Sequence, residues 1–186
     1  MRIALAQINT TVGDLEGNVQ RCQDAVVHAH GEAADLVVLP EMAIPGYPPR
    51  DILLDTSFVE AVSAATIDLA RRSVSGPPVL VGSLASSGRT TPNHPGLHNT
   101  AVLLQDGATQ VVAYKRLLPT YDVFYERRWF LPGPALPPFA VRGRRIGCLI
   151  CEDMWDEDYG VHPPAEHLDA GADLLVVISA SPFRHG

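Results

Sequence analysis

The sequence has no apolar run approaching the roughly 20 residues that a membrane-crossing helix needs, so a membrane span is not expected. It has no excess of positive charge either. The net charge is −7, which provides no basic stripe for nucleic acid or for an anionic membrane surface. Cysteine is scarce: only Cys22, Cys148 and Cys151 are present. A small, odd number of cysteines argues against a disulfide framework and fits a reducing, cytoplasmic compartment. No G-x-x-x-x-G-K-[ST] loop occurs, so no recognised motif binds ATP. Internal repeats and low-complexity segments are also missing. The opening MRIALAQINTTVGD carries one arginine and then alternates, which predicts a strand and not a signal peptide.

What remains is a chain of 186 residues, 46% of them hydrophobic, with room for one ordinary domain and little space for a second. Residues 2–8 form an apolar run of strand type. Asn18 is positioned to cap a helix whose apolar face carries Val19, Cys22, Val26, Ala29 and Ala33. Residues 35–39 (DLVVL) read as a strand covered on both faces, opening at Pro40-Glu41 into the Pro- and Gly-rich loop MAIPGYPPRD. A second helix follows, with Val59, Val62, Thr66 and Leu69 on one face, and then the strand PPVLVGSLA. The segment SSGRTTPNHPGLHN is expected to be a surface loop. NTAVLLQ-DG-ATQVVAYK reads as a hairpin turning at Asp106-Gly107 and ending at Lys115. RRIGCLICED is a strand ending at Cys151-Glu152, PAEHLDAGA a short helix and ADLLVVISAS a last buried strand. The alternation, broken by one hairpin, predicts an α/β fold with mixed sheets. The stop at SPFRHG, directly after an apolar strand, reads as a domain incomplete at its C-terminus.

Three polar residues stand at the ends of apolar strands: Glu41, Lys115 and Cys151. Taken singly, plainer readings prevail, namely a solvated loop acid, a surface lysine and a buried structural thiol. Taken together they are the side chains that acyl transfer to sulfur requires. A free thiol has a pKa of about 8.5, so Cys151 needs a base or a positive charge beside it to attack at neutral pH. Glu41 can take the thiol proton and later activate water. Lys115 supplies fixed positive charge for a tetrahedral oxyanion, and the backbone N–H of Glu152 is a candidate second donor. Cys148-x-x-Cys151 invites a metal or dithiol reading. On a strand, however, residues three apart point to opposite faces, and no second Cys pair or close His pair completes a metal site. Cys148 is therefore expected in the core. His162 and His167 read as surface residues. A Cys–His protease ranks low, because no histidine stands at a strand end next to a motif.

The blocks LPEMAIPGYPPRDIL, YKRLLPTYDVFYERRWFLPG and GCLICEDMWDE resemble, in order, the three catalytic blocks of the carbon–nitrogen hydrolase (nitrilase) superfamily. The resemblance covers essentially the whole chain. It implies an α-β-β-α sandwich and assigns Glu41 as general base, Lys115 as oxyanion stabiliser and Cys151 as nucleophile. By the same resemblance Glu126 supports the lysine; its plainer reading is a helix-surface acid in an arginine-rich patch. The phrases PGYPPRDIL, KRLLPTYDVFYERR and SASPF are similar to the glutamine-hydrolysing branch found in bacterial glutamine-dependent NAD synthetases. That branch implies glutamine as substrate, with Tyr121 and Ser181 holding it. It also implies a homo-oligomer and a following ligase domain that uses ATP and Mg, of which 1–186 contains nothing; no cofactor is expected in this segment. A free-standing amidase or ureido hydrolase of the same superfamily is the alternative. A silent interaction domain would be tested by a glutamine-dependent ammonia assay.

Overall fold

Asp14, not Asn18, opens the first helix, α1 (Leu15–Gly31): its carboxylate accepts the Gly17 N–H at 3.0 Å, which satisfies a donor the first turn leaves free. Asn18 lies one turn inside and is fully buried. Its side-chain amide ties the Thr11 and Ile44 backbones to the helix. Asp and Asn are about equally good caps, and with Asn18 buried in the core the role falls to Asp14. Val19, Cys22, Val26 and Ala29 form the buried face as expected, but Ala33 falls beyond the helix, at φ 54°.

The computed structural model describes residues 1–89, 91 and 94–181. The first sheet has the order β1 (Ile3–Leu5), β2 (Leu36–Val38), β3 (Val79–Ser86), β4 (Leu97–Gln105) and β5 (Ala108–Tyr114). Its first three strands are parallel and its last two pairings antiparallel. The second sheet has the order β6 (Phe139–Val141), β7 (Arg144–Ile150) and β8 (Leu174–Ile178), with β6 antiparallel and β8 parallel to β7. Strand β6 has no counterpart in the sequence reading, since three residues carry too short an alternation to stand out. Strand β4 begins at Leu97, inside the segment expected to be loop. Residues 90, 92 and 93 of that segment, and 182–186 of the SPFRHG end, lie outside the described residues. The Asp106-Gly107 turn joins β4 to β5 with both residues at positive φ, the conformation a two-residue hairpin requires.

Period-2 alternation sorts side chains between two apolar layers. Val37, Val79, Val81, Val102 and Leu104 face α1 and α2 (Thr56–Arg72). Leu36, Val38, Leu80, Ala101 and Leu103 face Ile146, Cys148, Ile150, Val176 and Ile178 of the second sheet. Helix α3 (Pro163–Asp169) packs on β7, where the His167 ring fills the space a side chain at Gly147 would need. The layers thus run helix, sheet, sheet, helix, matching the expected sandwich. Each fully buried Val, Leu or Ile contributes roughly 1.5–3 kcal/mol, and both layers hold many of them. No helix among the described residues is long and apolar enough to cross a membrane.

Candidate active site

Glu41, Lys115 and Cys151 each follow a strand end, and the three strand ends meet. Lys115 continues β5; its N–H donates to the Asn99 carbonyl at 2.9 Å and its carbonyl accepts from Gly133. The side chain is almost wholly buried, and Nζ donates at 2.8 Å both to Glu41 Oε1 and to Glu126 Oε1. An isolated buried ammonium would be very costly; two carboxylates and good geometry offset that cost. Burial by itself lowers the lysine's hold on its proton. Glu41 and then Glu126 more than reverse this and hold it above the ordinary lysine range.

Glu41 follows β2 on a loop that runs directly over β3. Gly82 N–H donates to the Pro40 carbonyl, and the Ile44 N–H donates to the Gly82 carbonyl. A Cβ at Gly82 would come within 2.2 Å of the Met42 nitrogen, so only glycine admits this close approach. Asn99 Nδ2 donates to Glu41 Oε1 at 2.7 Å, while Oε2 accepts the Ala180 N–H at 3.0 Å. The carboxylate is thereby held from both sheets.

Glu126 is buried on a short 3-10 turn, Glu126–Arg128. The surface-acid reading is overturned: the side chain points inward, away from its arginine neighbours, and also accepts from Tyr47 Oη at 2.9 Å. Burial pushes its carboxyl up, Lys115 pulls it down and the charge of Glu41 raises it again. Two carboxylates on one ammonium leave a surplus negative charge, and Glu126 is the member drawn towards the neutral form.

Cys151 directly follows β7 and sits at φ 50°, a left-handed conformation that is unusual for a side-chain-bearing residue. It stands on a 3-10 turn, Cys151–Met154, so strand periodicity does not govern its direction. Cys148 lies in the layer between the sheets. Burial pushes the Cys22 thiol up to about 12 and that of Cys148 higher, which leaves both inert. Burial and then Glu41 also raise the Cys151 thiol, but Lys115 acts in the opposite direction, as do the hydroxyls of Ser179 and Ser181. The net effect is upward, which favours the protonated thiol at Cys151.

The residues expected around this group are placed less uniformly. Ser181 Oγ comes within 3.7 Å of Cys151 Sγ. Tyr121 is about half exposed and reaches the site at second hand, donating to both oxygens of the buried Glu152 carboxylate, which also accepts from Tyr159 Oη at 2.7 Å. His162 is exposed and pairs with Asp156. His167 is not a surface residue: its ring is half-buried, with Nε2 3.1 Å from the Cys148 carbonyl oxygen. Asn99, Tyr47 and Asp153 were not singled out in the sequence. Asp153 carries a buried carboxylate that burial pushes up to about 6, against the pull of the Leu117, Arg116 and Ile150 N–H groups. Its only signal in the sequence is its place two residues after Cys151. Among the described residues no group of His, Cys, Asp and Glu could hold a metal ion.

Residues 2–162 match the family model described as carbon–nitrogen hydrolase. A glutamine-dependent NAD(+) synthetase from Synechocystis sp. is 37% identical over 198 residues, covering 99% of this chain and 34% of the relative. The enzyme of that name from Thermotoga maritima is 36% identical, covering 100% and 31%. The chain thus spans about a third of the length of these curated relatives. Among solved structures, the glutamine-dependent NAD+ synthetase from Acinetobacter baumannii superposes with a TM-score of 0.81 at 28% identity, over 99% of this chain and 33% of that one. An amidase from Nesterenkonia sp., in a form with acrylamide added to its active-site cysteine, superposes with a TM-score of 0.71 at 25% identity, over 96% and 66%.

Proposed function

The chain belongs to the carbon–nitrogen hydrolase family, and from that premise we propose that it hydrolyses the side-chain amide of glutamine, supplying ammonia to NAD synthesis in a longer protein. One observation carries the reading: a buried lysine bridging two carboxylates beside the thiol of Cys151, which occupies a left-handed turn at a strand end. Glu41 removes the thiol proton as sulfur attacks the amide carbon. Negative charge moves to the amide oxygen, where the Lys115 ammonium and the Glu152 N–H receive it. Collapse expels the amine, which takes the proton held by Glu41 and leaves as ammonia, with a thioester on Cys151. Water then attacks the thioester, Glu41 takes its proton, and glutamate departs as the thiol is restored. Burial suits Glu41 to this shuttle, since water reaches the carboxylate only when the site admits it.

In this reading Tyr121 and Ser181 bind glutamine at the rim, and the Glu152 carboxylate between Tyr121 and Tyr159 places negative charge where an α-ammonium group can be held. A ligase domain of the same protein, using ATP and Mg, receives the ammonia; the setting is cytoplasmic and the assembly a homo-oligomer. The glutamine-dependent synthetases among the relatives support this choice of substrate, and the adduct on the active-site cysteine of the Nesterenkonia amidase supports the nucleophile. The deciding experiment follows NAD formation by full-length Cys151→Ala with either glutamine or an ammonium salt. Glutamine use should vanish while ammonium use persists. Equal loss with both donors would make Cys151 structural, and no NAD formation by the unsubstituted protein would leave a free-standing amidase.

A further inference from the structure

Glu41, Asn99 and Lys115 all belong to the first sheet or to the turns that leave it, and Glu126 joins them through Lys115. Cys151 opens the turn that leaves β7 of the second sheet. Strands in different sheets share no ladder, and the apolar layer between them is non-directional, so neither sets how far Lys115 stands from the thiol. Asp153 bridges that gap. Its Oδ1 accepts the N–H groups of Arg116 and Leu117 at 2.9 and 2.8 Å, the two residues after Lys115. Its Oδ2 accepts the N–H of Ile150, the residue before Cys151, at 3.1 Å. One carboxylate thereby joins the ends of β5 and β7 on either side of the reacting pair. Ala180 N–H to Glu41 Oε2 also crosses between the sheets, holding the base and not the lysine, and the Arg116–Glu166 ion pair joins the end of β5 to α3 and not to β7.

We infer that Asp153 is a positioning residue of the amide-hydrolysing reaction, a buried strut that fixes the Cys151 turn against the Lys115 strand end. The inference rests on the catalytic reading of Glu41, Lys115 and Cys151. A carboxylate is suited to the task because it alone offers acceptors on both oxygens in one plane, and charge-assisted bonds to N–H groups are short and directional. With Asp153 removed, the Lys115–Glu41–Glu126 group keeps its own bonds while the thiol shifts relative to it. Substrate held at the rim is hardly affected, whereas attack geometry and oxyanion capture are.

The test compares Asp153→Asn and Asp153→Ala in the full-length protein. The amide keeps one acceptor oxygen for the Arg116 and Leu117 N–H groups but cannot accept from Ile150, so Asn should be the milder change. Glutamine-dependent kcat should fall about 10-fold for Asn and about 100-fold for Ala, the scale of a misplacement near 1 Å. KM for glutamine should stay within about twofold, because uniform binding is untouched. NAD formation from ammonium salt should be unchanged, because the ligase domain takes free ammonia without this site, and partial rescue by Asn over Ala separates a lost acceptor from general loosening of the fold. Glutamine kcat within about twofold of the unsubstituted protein for Asp153→Ala would overturn the inference, as would parallel loss of ammonium-dependent activity. Failure of both variants to fold would overturn it too, since the carboxylate would then serve the fold instead of the site. Glutamine use retained by Cys151→Ala would sink the catalytic reading itself; an inactive Cys151→Ala beside a fully active Asp153→Ala would sink only the strut.

Discussion

Lys115 and Tyr121 differ in what their loss should do, because one lies among buried charges and the other at the half-exposed rim. On the proposed reading the Lys115 ammonium receives the charge of the tetrahedral intermediate, so Lys115→Ala should lower kcat for glutamine about 10²–10³-fold. Tyr121→Ala leaves the thiol, base and lysine in place and should chiefly raise KM for glutamine. Steady-state glutaminase kinetics of the two variants separate the roles, and a kcat effect confined to Tyr121 would reverse them. Identity and strand-end position made Glu41, Lys115 and Cys151 legible in the sequence. Read from its neighbours alone Glu126 is a surface acid among arginines, and only the family resemblance places it beside the lysine, because nothing local reveals which side of a 3-10 turn faces inward. Asn99 was hidden for a related reason: a polar residue inside an apolar strand does not announce a partner 58 positions away.

At the scale of elements, Gly82 shows how a strand serves a loop. The Glu41 loop lies so close to β3 that a methyl group at position 82 would meet backbone, which cannot rotate aside as a side chain can. Gly82→Ala should push the Pro40–Met42 backbone outward, lengthen the Glu41–Lys115 contact and lower glutaminase activity well before the protein unfolds. Activity and urea unfolding measured together would check this; full activity in Gly82→Ala would show that the loop has slack. Helix α1 carries a similar lesson. Apolar spacing predicted its buried face, while its start moved from Asn18 to Asp14 because Asn18 was needed inside, bonded to Thr11 and Ile44. The two-residue turn at Asp106-Gly107 was legible because its backbone geometry depends on those two residues alone.

For the whole molecule, the α3 layer is tied to β7 through His167, and this gives stability a pH dependence with a defined sign. Burial lowers the imidazole below its usual range, partly opposed by the Cys148 carbonyl. The native state therefore binds fewer protons there than the unfolded chain, and stability rises with pH across that window. As pH falls from about 6.5, the unperturbed histidine value, this contribution is lost. Replacing His167 with Gln removes the titration, so the gap between variant and unsubstituted protein should change between neutral and mildly acidic pH in urea unfolding. A gap constant with pH would contradict the assignment.

Some features were decided by the sequence alone: the α/β alternation, the doubly covered strand at Leu36–Val38, the hairpin and the three strand-end residues. Each follows from periodicity or turn chemistry within about ten neighbouring residues. Tertiary structure decided the rest, because the quantities involved are distances between segments far apart in the chain. The pairing of β6 with β7, the inward turn of Glu126, the reach of Asn99 to Glu41 and the span of Asp153 across two sheets exist only once the apolar layers have set the sheets face to face.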